Sequence, residues 1–299
     1  MTTDSTARIA FVGLGNMGWP MAANLVGAGR AVTGIDVDRD RAAAWAATHD
    51  GPSTPASFAT DVAAVADAVD VIVTMLPTGS EVSDVLLAAS AGARPDTLAI
   101  DMSSADPVGT RALGAELAAA GMRLVDAPVS GGVPRATAGT LAIMVGGDAG
   151  AVAEARPVLE TMGDRVFEVG ELGNGHAMKC LNNFVAGSAF AACSEALAVG
   201  SRFGLDPNVM FDVMNESTAR CFNTELVMKQ QVVSGAYASG FALGLLAKDV
   251  GIADALADAM GVDVPLADLV TSRLAAARDA VGATADHTRA HEYWTSGSG

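Results

Sequence analysis

What most constrains this chain is an alternation in its first half. Apolar runs of strand length, ARIAFVGLG, AVTGIDV, VDVIVTMLP, TLAIDMSS and RLVDAPVSGG, are separated by helical stretches such as RAAAWAA and DPVGTRALGAELAAAG. Strand-length runs with helices between them indicate a parallel sheet joined by crossovers, hence a doubly wound α/β domain. TLAIMVGG and RVFEVGE extend that sheet. After about Gly173 the strand signals stop, and the remainder reads as helices broken at FGLDPN, VSGAYASG and GVDVP. A chain of 299 residues accommodates two ordinary domains. The expected division is 1–172, α/β, and 173–299, all-helical, with a long helix starting at about 174.

Composition narrows the function classes. Half the residues are hydrophobic, enough for a substantial core, and the net charge is −16. A surface that acidic argues against nucleic acid and against an anionic membrane face, although a local pocket can still receive a small anion. The three cysteines, Cys180, Cys193 and Cys221, form no CxxC and have no histidine at metal-ligand spacing, so no metal site is expected. An odd count reads as reduced thiols. MTTDSTAR is polar and runs straight into a strand, and FVAGSAFAACSEALAVG is interrupted by Ser and Glu. Neither resembles a signal peptide or a membrane span, which makes the cytoplasm the expected compartment. The final SGSG is expected to be disordered.

GLGNMG, residues 13–18, fits G-x-G-x-x-G directly between a strand and a helix. In such a loop Gly13 permits the tight turn, Gly15 lets a pyrophosphate approach the backbone, and Gly18 lets helix and strand pack. The helix N-terminus offers free N–H groups to phosphate. Asp36 closes the second strand 18 residues after Gly18, where an acid can hydrogen-bond an adenosine ribose. That acid repels a 2′-phosphate and favours NAD over NADP, while Arg39 and Arg41 in DVDRDR soften the preference.

GNGHAMKCLNN straddles the expected boundary, and domain crevices commonly hold ligands. Of eighteen basic residues fifteen are arginine, and only Lys179, Lys229 and Lys248 are lysine. Residues three and four apart share a helix face, so Lys179 lies beside Asn182 and Asn183, with His176 one turn earlier. Two readings stand for this group. Partial burial would lower the lysine pKa and suit it to act as a general base; alternatively it snorkels at a helix end with asparagines that satisfy the loop. Lys248, which ends an apolar run, has a neighbouring salt-bridge partner in Asp249. DAPVSGG offers the Ser130 hydroxyl and backbone N–H groups to a carboxylate, or is an ordinary glycine-rich turn. His287 and His291 lie in a polar tail and are expected to be solvated.

Taken in order, FVGLGNMGWPMAANL, DAPVSGGVPRATAGTLAIMVGGD, GHAMKCLNN and FALGLLAKDVGIA resemble the motifs of the β-hydroxyacid dehydrogenase family and cover nearly the whole chain. The resemblance implies a Rossmann domain joined by a long helix to an all-helical domain through which dimers or tetramers form. It further implies an NAD-dependent oxidoreductase acting on a short 3-hydroxy acid, in which Lys179 is the acid/base and Asn183 orients substrate. Ser130, Gly131, Gly132 and Asn182 would bind the substrate carboxylate. Gly13, Gly15, Asn16, Met17 and Gly18 would lie against the pyrophosphate and Asp36 on the ribose. Leu76, Pro77, Ser104 and Lys248 would contact the rest of the cofactor. Two departures stand out: Arg135 replaces a residue that is usually small, and DMSS differs from the usual turn. Arg135 either meets a second anionic group of the substrate or points into solvent. Sulfonated or sugar-derived hydroxy acids or imines as substrates, and a non-catalytic NAD-binding role, are the competing readings.

Overall fold

The computed structural model describes residues 7–51 and 56–296. The expectations for the extreme N-terminus and for Gly297, Ser298 and Gly299 fall outside the described residues, apart from Ala7 and Arg8 at the head of the first strand. Two compact units divide the chain, Met1–Lys179 and Cys180–Gly299.

The first unit is the α/β part. In chain order it runs β1 (Ile9–Val12), α1 (Gly18–Gly27), β2 (Val32–Ile35), α2 (Arg39–His49), β3 (Ala56–Ala59), β4 (Val71–Thr74), α3 (Gly79–Ser90), β5 (Leu98–Asp101), α4 (Pro107–Ala119) and β6 (Arg123–Asp126). These six strands pair in parallel in the order β3-β2-β1-β4-β5-β6, the doubly wound arrangement that places ligands beyond the strands' carboxyl ends. The chain continues through β7 (Val129–Ser130), α5 (Gly132–Ala138), β8 (Ala142–Gly146), α6 (Ala149–Leu159) and β9 (Arg165–Gly170). β8 runs antiparallel to β6 and β7 and parallel to β9.

Side-chain alternation explains why the runs are apolar throughout. Ile9 and Phe11 of β1 pack on one face of the sheet with Met21 and Leu25 of α1 and Val158 of α6. Ala10 and Val12 point to the other face, against Leu86 of α3 and Leu113 and Leu117 of α4. A strand covered on both faces needs no polar positions. Helix starts are set by acids: Asp38, Asp106 and Asp148 accept the first N–H groups of α2, α4 and α6. Two details depart from the sequence reading. β3, of sequence ASFA, carries too little strand character to be read and forms through its register with β2. RLVDAPVSGG is two strands, because the pairing of β6 ends at Asp126 and β7 instead joins β8.

α7 (Asn174–Phe203) runs through the division between the units. By length and composition alone it could cross a membrane. The second unit continues with α8 (Pro207–Asn215), a π-helical segment (Asn223–Val233), α9 (Leu243–Met260), α10 (Pro265–Val281) and α11 (Ala290–Thr295). The three expected breaks fall between these helices. Phe190, Phe211, Met228, Leu246, Val250 and Leu274 form its core. The wider π winding turns Asn223, Val227 and Met228 inward, and Asn223 Nδ2 donates to Ala186 O at 2.9 Å.

The expectation of solvated histidines is overturned. His287 is buried, stacked edge-on to Phe190, with Nδ1 3.0 Å from Ser239 Oγ, because the chain folds back over α7. His291 is half-buried. Burial lowers the pKa of both rings. A buried neutral ring stays unprotonated while the unfolded chain takes up a proton, so stability is lost as pH falls through the ordinary histidine range near about 6.5. The urea midpoint is therefore expected to drop between pH 7.5 and 6.0. His287→Gln, although less stable at pH 7.5, should show a visibly smaller drop over that interval.

Candidate active site

The tight turn at Gly13 and the close packing at Gly18 read from the sequence are both present. Gly13 has φ +98°, and a Cβ there would stand 2.3 Å from Met75 O. A Cβ on Gly18 would stand 1.8 Å from Gly13 O, so α1 can begin this close to β1 only without a side chain. At Gly15 a Cβ would meet nothing within 4 Å; that side of the loop is open. Asn16 is exposed beside it and Met17 leans on the core. α1 has no side-chain cap and no acid in its first turn, leaving its N–H groups and positive dipole end available to an anion. This combination fits a dinucleotide phosphate. A cleft of about 790 Å³ opens here, lined by Leu14, Gly15, Asn16, Trp19, Arg41 and Val133 among others.

Asp36 is buried and already engaged. Its Oδ2 accepts from Leu14 N–H at 2.9 Å and its Oδ1 from Asp38 N–H at 2.9 Å. The acid therefore shapes the glycine loop. Arg41 sits 3.4 Å from Asp36 and 3.5 Å from Asp38, whereas Arg39 is simply exposed.

Beyond β4 and β5, Leu76 N–H donates to Ser103 Oγ at 2.9 Å. Ser103, which the sequence reading passed over for Ser104, is the fully buried link between the two turns; Ser104 is half-buried and Pro77 exposed. The Ser130–Gly132 turn is set differently, by the pairing of β7 with β8 and by positive φ values of +139° at Gly131 and +65° at Gly132. Gly131 and Gly132 are exposed and Ser130 is half-buried. Arg135 packs its stem under Gly131 and pairs with Asp164 at 3.2 Å.

The start of α7 is held by Asp126, another residue not singled out from the sequence. Its Oδ1 accepts from Gly173 N–H at 2.8 Å and its Oδ2 from His176 N–H at 2.7 Å, an N-terminal cap contributed from 47 positions upstream. A Cβ on Gly175 would stand 2.4 Å from Met144 O, so only glycine lets the turn lie this close to the sheet. Burial raises the Asp126 pKa, opposed by His176 and by the two N–H groups. Lys179 follows one turn after His176 and is half-buried.

In the second unit Asn183 is buried. Its Nδ2 donates to Asp249 Oδ2 at 2.6 Å and its Oδ1 accepts from Asn182 Nδ2 at 3.2 Å. Lys248 Nζ is 3.5 Å from Asp249 Oδ1, the salt bridge expected from their adjacency. Asp249 thus fixes which way the Asn183 amide points. The strand-final position of Asp101 and Asp126, where a parallel sheet concentrates function, was the signal available for them; Asp249 had none beyond its neighbour.

Two family models match the chain: the NAD binding domain of 6-phosphogluconate dehydrogenase over residues 8–170, and the NAD-binding region of NADP-dependent 3-hydroxyisobutyrate dehydrogenase over 173–294. The 3-hydroxyisobutyrate dehydrogenase of Pseudomonas aeruginosa is 42% identical over 87% of this chain and 89% of its own length. The chain belongs to the β-hydroxyacid dehydrogenase family. As such it is an NAD(P)-dependent oxidoreductase acting on a CH–OH group. The 2-(hydroxymethyl)glutarate dehydrogenase of Eubacterium barkeri is 35% identical over 90% of this chain and 88% of its own. The structure of Mycobacterium tuberculosis 3-hydroxyisobutyrate dehydrogenase with L-serine superposes with a TM-score of 0.89 at 36% identity, covering 97% of this chain and 99% of that one.

Two substitutions test the loop of this family member. Gly18→Ala should lower stability by about 2 kcal/mol or more in urea unfolding, because the clash is with backbone. Asp36→Asn keeps an acceptor for Leu14 N–H but removes the negative charge. The ratio of NADP to NAD dissociation constants, measured by titration calorimetry, should fall by about tenfold or more, a charged hydrogen bond or repulsion being worth about 1.5–3 kcal/mol.

Proposed function

We propose that this chain is an NAD-dependent dehydrogenase of short 3-hydroxy acids, interconverting them with the corresponding semialdehydes, with Lys179 as general acid/base. The observation that carries the reading is the position of Lys179 in the second turn of α7, directly after a turn pinned by Asp126 and one turn before Asn183, whose amide Asp249 orients. Its two working regions are taken as 1–172 and 173–299. The compounds named for the relatives share one chemistry. 3-Hydroxyisobutyrate, 2-(hydroxymethyl)glutarate and L-serine each place a CH₂OH on the carbon that bears a carboxylate.

NAD, when bound, would supply the acceptor for the hydride leaving the carbinol carbon. Gly13, Gly15, Asn16, Met17 and Gly18 would hold its pyrophosphate and Asp36 its adenosine ribose, with Leu76, Pro77, Ser104 and Lys248 along the remainder. NAD is preferred because Asp36 opposes a 2′-phosphate, and Arg41 beside it tempers that preference. Ser130, Gly131, Gly132 and Asn182 receive the substrate carboxylate. Arg135 is engaged with Asp164 and is not needed for it. In oxidation, neutral Lys179 takes the hydroxyl proton at Nζ. In reduction it returns that proton, and its positive charge stabilises the developing alkoxide. Arginine could not replace it, since its pKa is too high for a base.

In the same reading the enzyme works in the cytoplasm as a homodimer or homotetramer. The exposed Leu181, Val185, Val199 and Phe203 of α7 support an oligomer face there, which also accounts for the apolar character of that helix.

The test is NADH formation from a panel of small 3-hydroxy acids by the native protein and by Lys179→Ala. The expected result is turnover by the native protein that falls by a factor of about 10³ or more in the mutant, with NAD binding retained. Native-level turnover in the mutant would overturn the role given to Lys179. NAD binding without turnover of any acid would favour the non-catalytic reading.

A further inference from the structure

We propose that His176 is the positioning residue of this site: lodged between Asp101 and Asp126, it ties the turn leading to Lys179 to the turns carrying Leu76 and Ser104. The part concerning Lys179 rests on the acid/base role proposed above.

The argument begins with sheet register. Asp101 and Asp126 are the last residues of neighbouring parallel strands and are paired in register, so their side chains stand on the same side of the sheet. Both are buried. Two buried carboxylates in such proximity repel unless donors or a positive charge lie against them. Donors account for part of the need. Asp101 Oδ1 accepts from Thr74 Oγ1 at 2.9 Å and from Ser103 N–H at 3.0 Å. Asp126 has the Gly173 and His176 N–H groups. The group that faces both acids is the His176 ring, with Nε2 3.6 Å from Asp101 Oδ2 and Nδ1 3.7 Å from Asp126 Oδ2. From α4, Arg111 stays outside this turn, donating to Leu172 O and Asn174 Oδ1.

Both ring nitrogens are engaged. Nε2 lies 3.2 Å from Ser103 O, a carbonyl that can only accept, so the ring donates there. Nδ1 lies 2.8 Å from Thr110 Oγ1, in the first turn of α4. The ring is thus anchored on one side to the turn after β5 and on the other to the start of α4, and removing it would leave buried polar partners without their hydrogen bonds.

The same ring closes a circuit. Leu76 N–H donates to Ser103 Oγ, Ser103 N–H to Asp101, His176 Nε2–H to Ser103 O, and His176 N–H to Asp126. Every member lies in the first unit. His176 precedes Lys179 by three residues on one helix, so a shift of its turn moves the lysine with it. A displacement of about 1 Å at a reacting group can cost about 10²-fold in rate.

The experiment uses the full chain. The variant is His176→Gln or His176→Asn, whichever folds. In the folded variant, kcat should fall about 10- to 100-fold, with KM for the acid and Kd for NAD changed less than threefold. Unchanged kcat, or a loss confined to Kd, overturns the positioning role. Should native protein turn over no acid, the dehydrogenase reading fails separately. Hydrogen exchange of the 173–179 amides then still decides the ring's hold on the turn. Accelerated exchange there in the variant supports that hold, and unchanged exchange overturns it.

Discussion

The carboxyl edge of a parallel sheet concentrates helix N-termini, and the acids that end the strands decide what each terminus does. Asp36 follows β2, Asp101 ends β5 and Asp126 ends β6. Each is buried and takes backbone N–H groups, Asp36 and Asp126 from turns distant in sequence and Asp101 from the turn that follows it. Asp36 shapes the glycine loop, Asp101 the turn after β5, and Asp126 the start of α7. α1, like α5, is left without a side-chain cap, which leaves its N–H groups available to an anion.

Close approach is the second constraint, and it explains the glycines. At Gly13, Gly18 and Gly175 an added Cβ would fall within van der Waals contact of a backbone oxygen, so relaxation would have to move strand or helix rather than a side chain. At Gly15 the opposite holds: the absent side chain leaves space, not a contact. One residue type therefore serves two purposes that only the surrounding atoms tell apart. In the helical unit the same tightness is reached by polar means, as the buried Asn183 and Asp249 pair, flanked by the half-buried Lys248, fixes an amide.

The parallel strands, apart from β3, were legible in apolar runs, because burial on both faces leaves an uninterrupted signature. The glycine loop was legible because each of its constraints is local. The helical breaks at FGLDPN, VSGAYASG and GVDVP were legible from Gly and Pro, whose backbone preferences act within a few residues. β3 was not, since ASFA becomes a strand only by lying against β2. The burial of His287 was not, since a polar segment gives no sign that it will be folded back onto Phe190. Ser103 and Ser104 could not be told apart as the linking residue from the string DMSS.

By itself, the sequence determined an α/β unit followed by helices, a dinucleotide loop, and a lysine with two asparagines on one helix face, because these depend on periodicity and short-range spacing. Only the tertiary structure decided that Asp126 caps α7 from 47 positions away, that Asp101 and Asp126 stand in register, and that His176 lies between them. Register and crossover packing bring such residues together, and neither is written in the neighbourhood of any one of them.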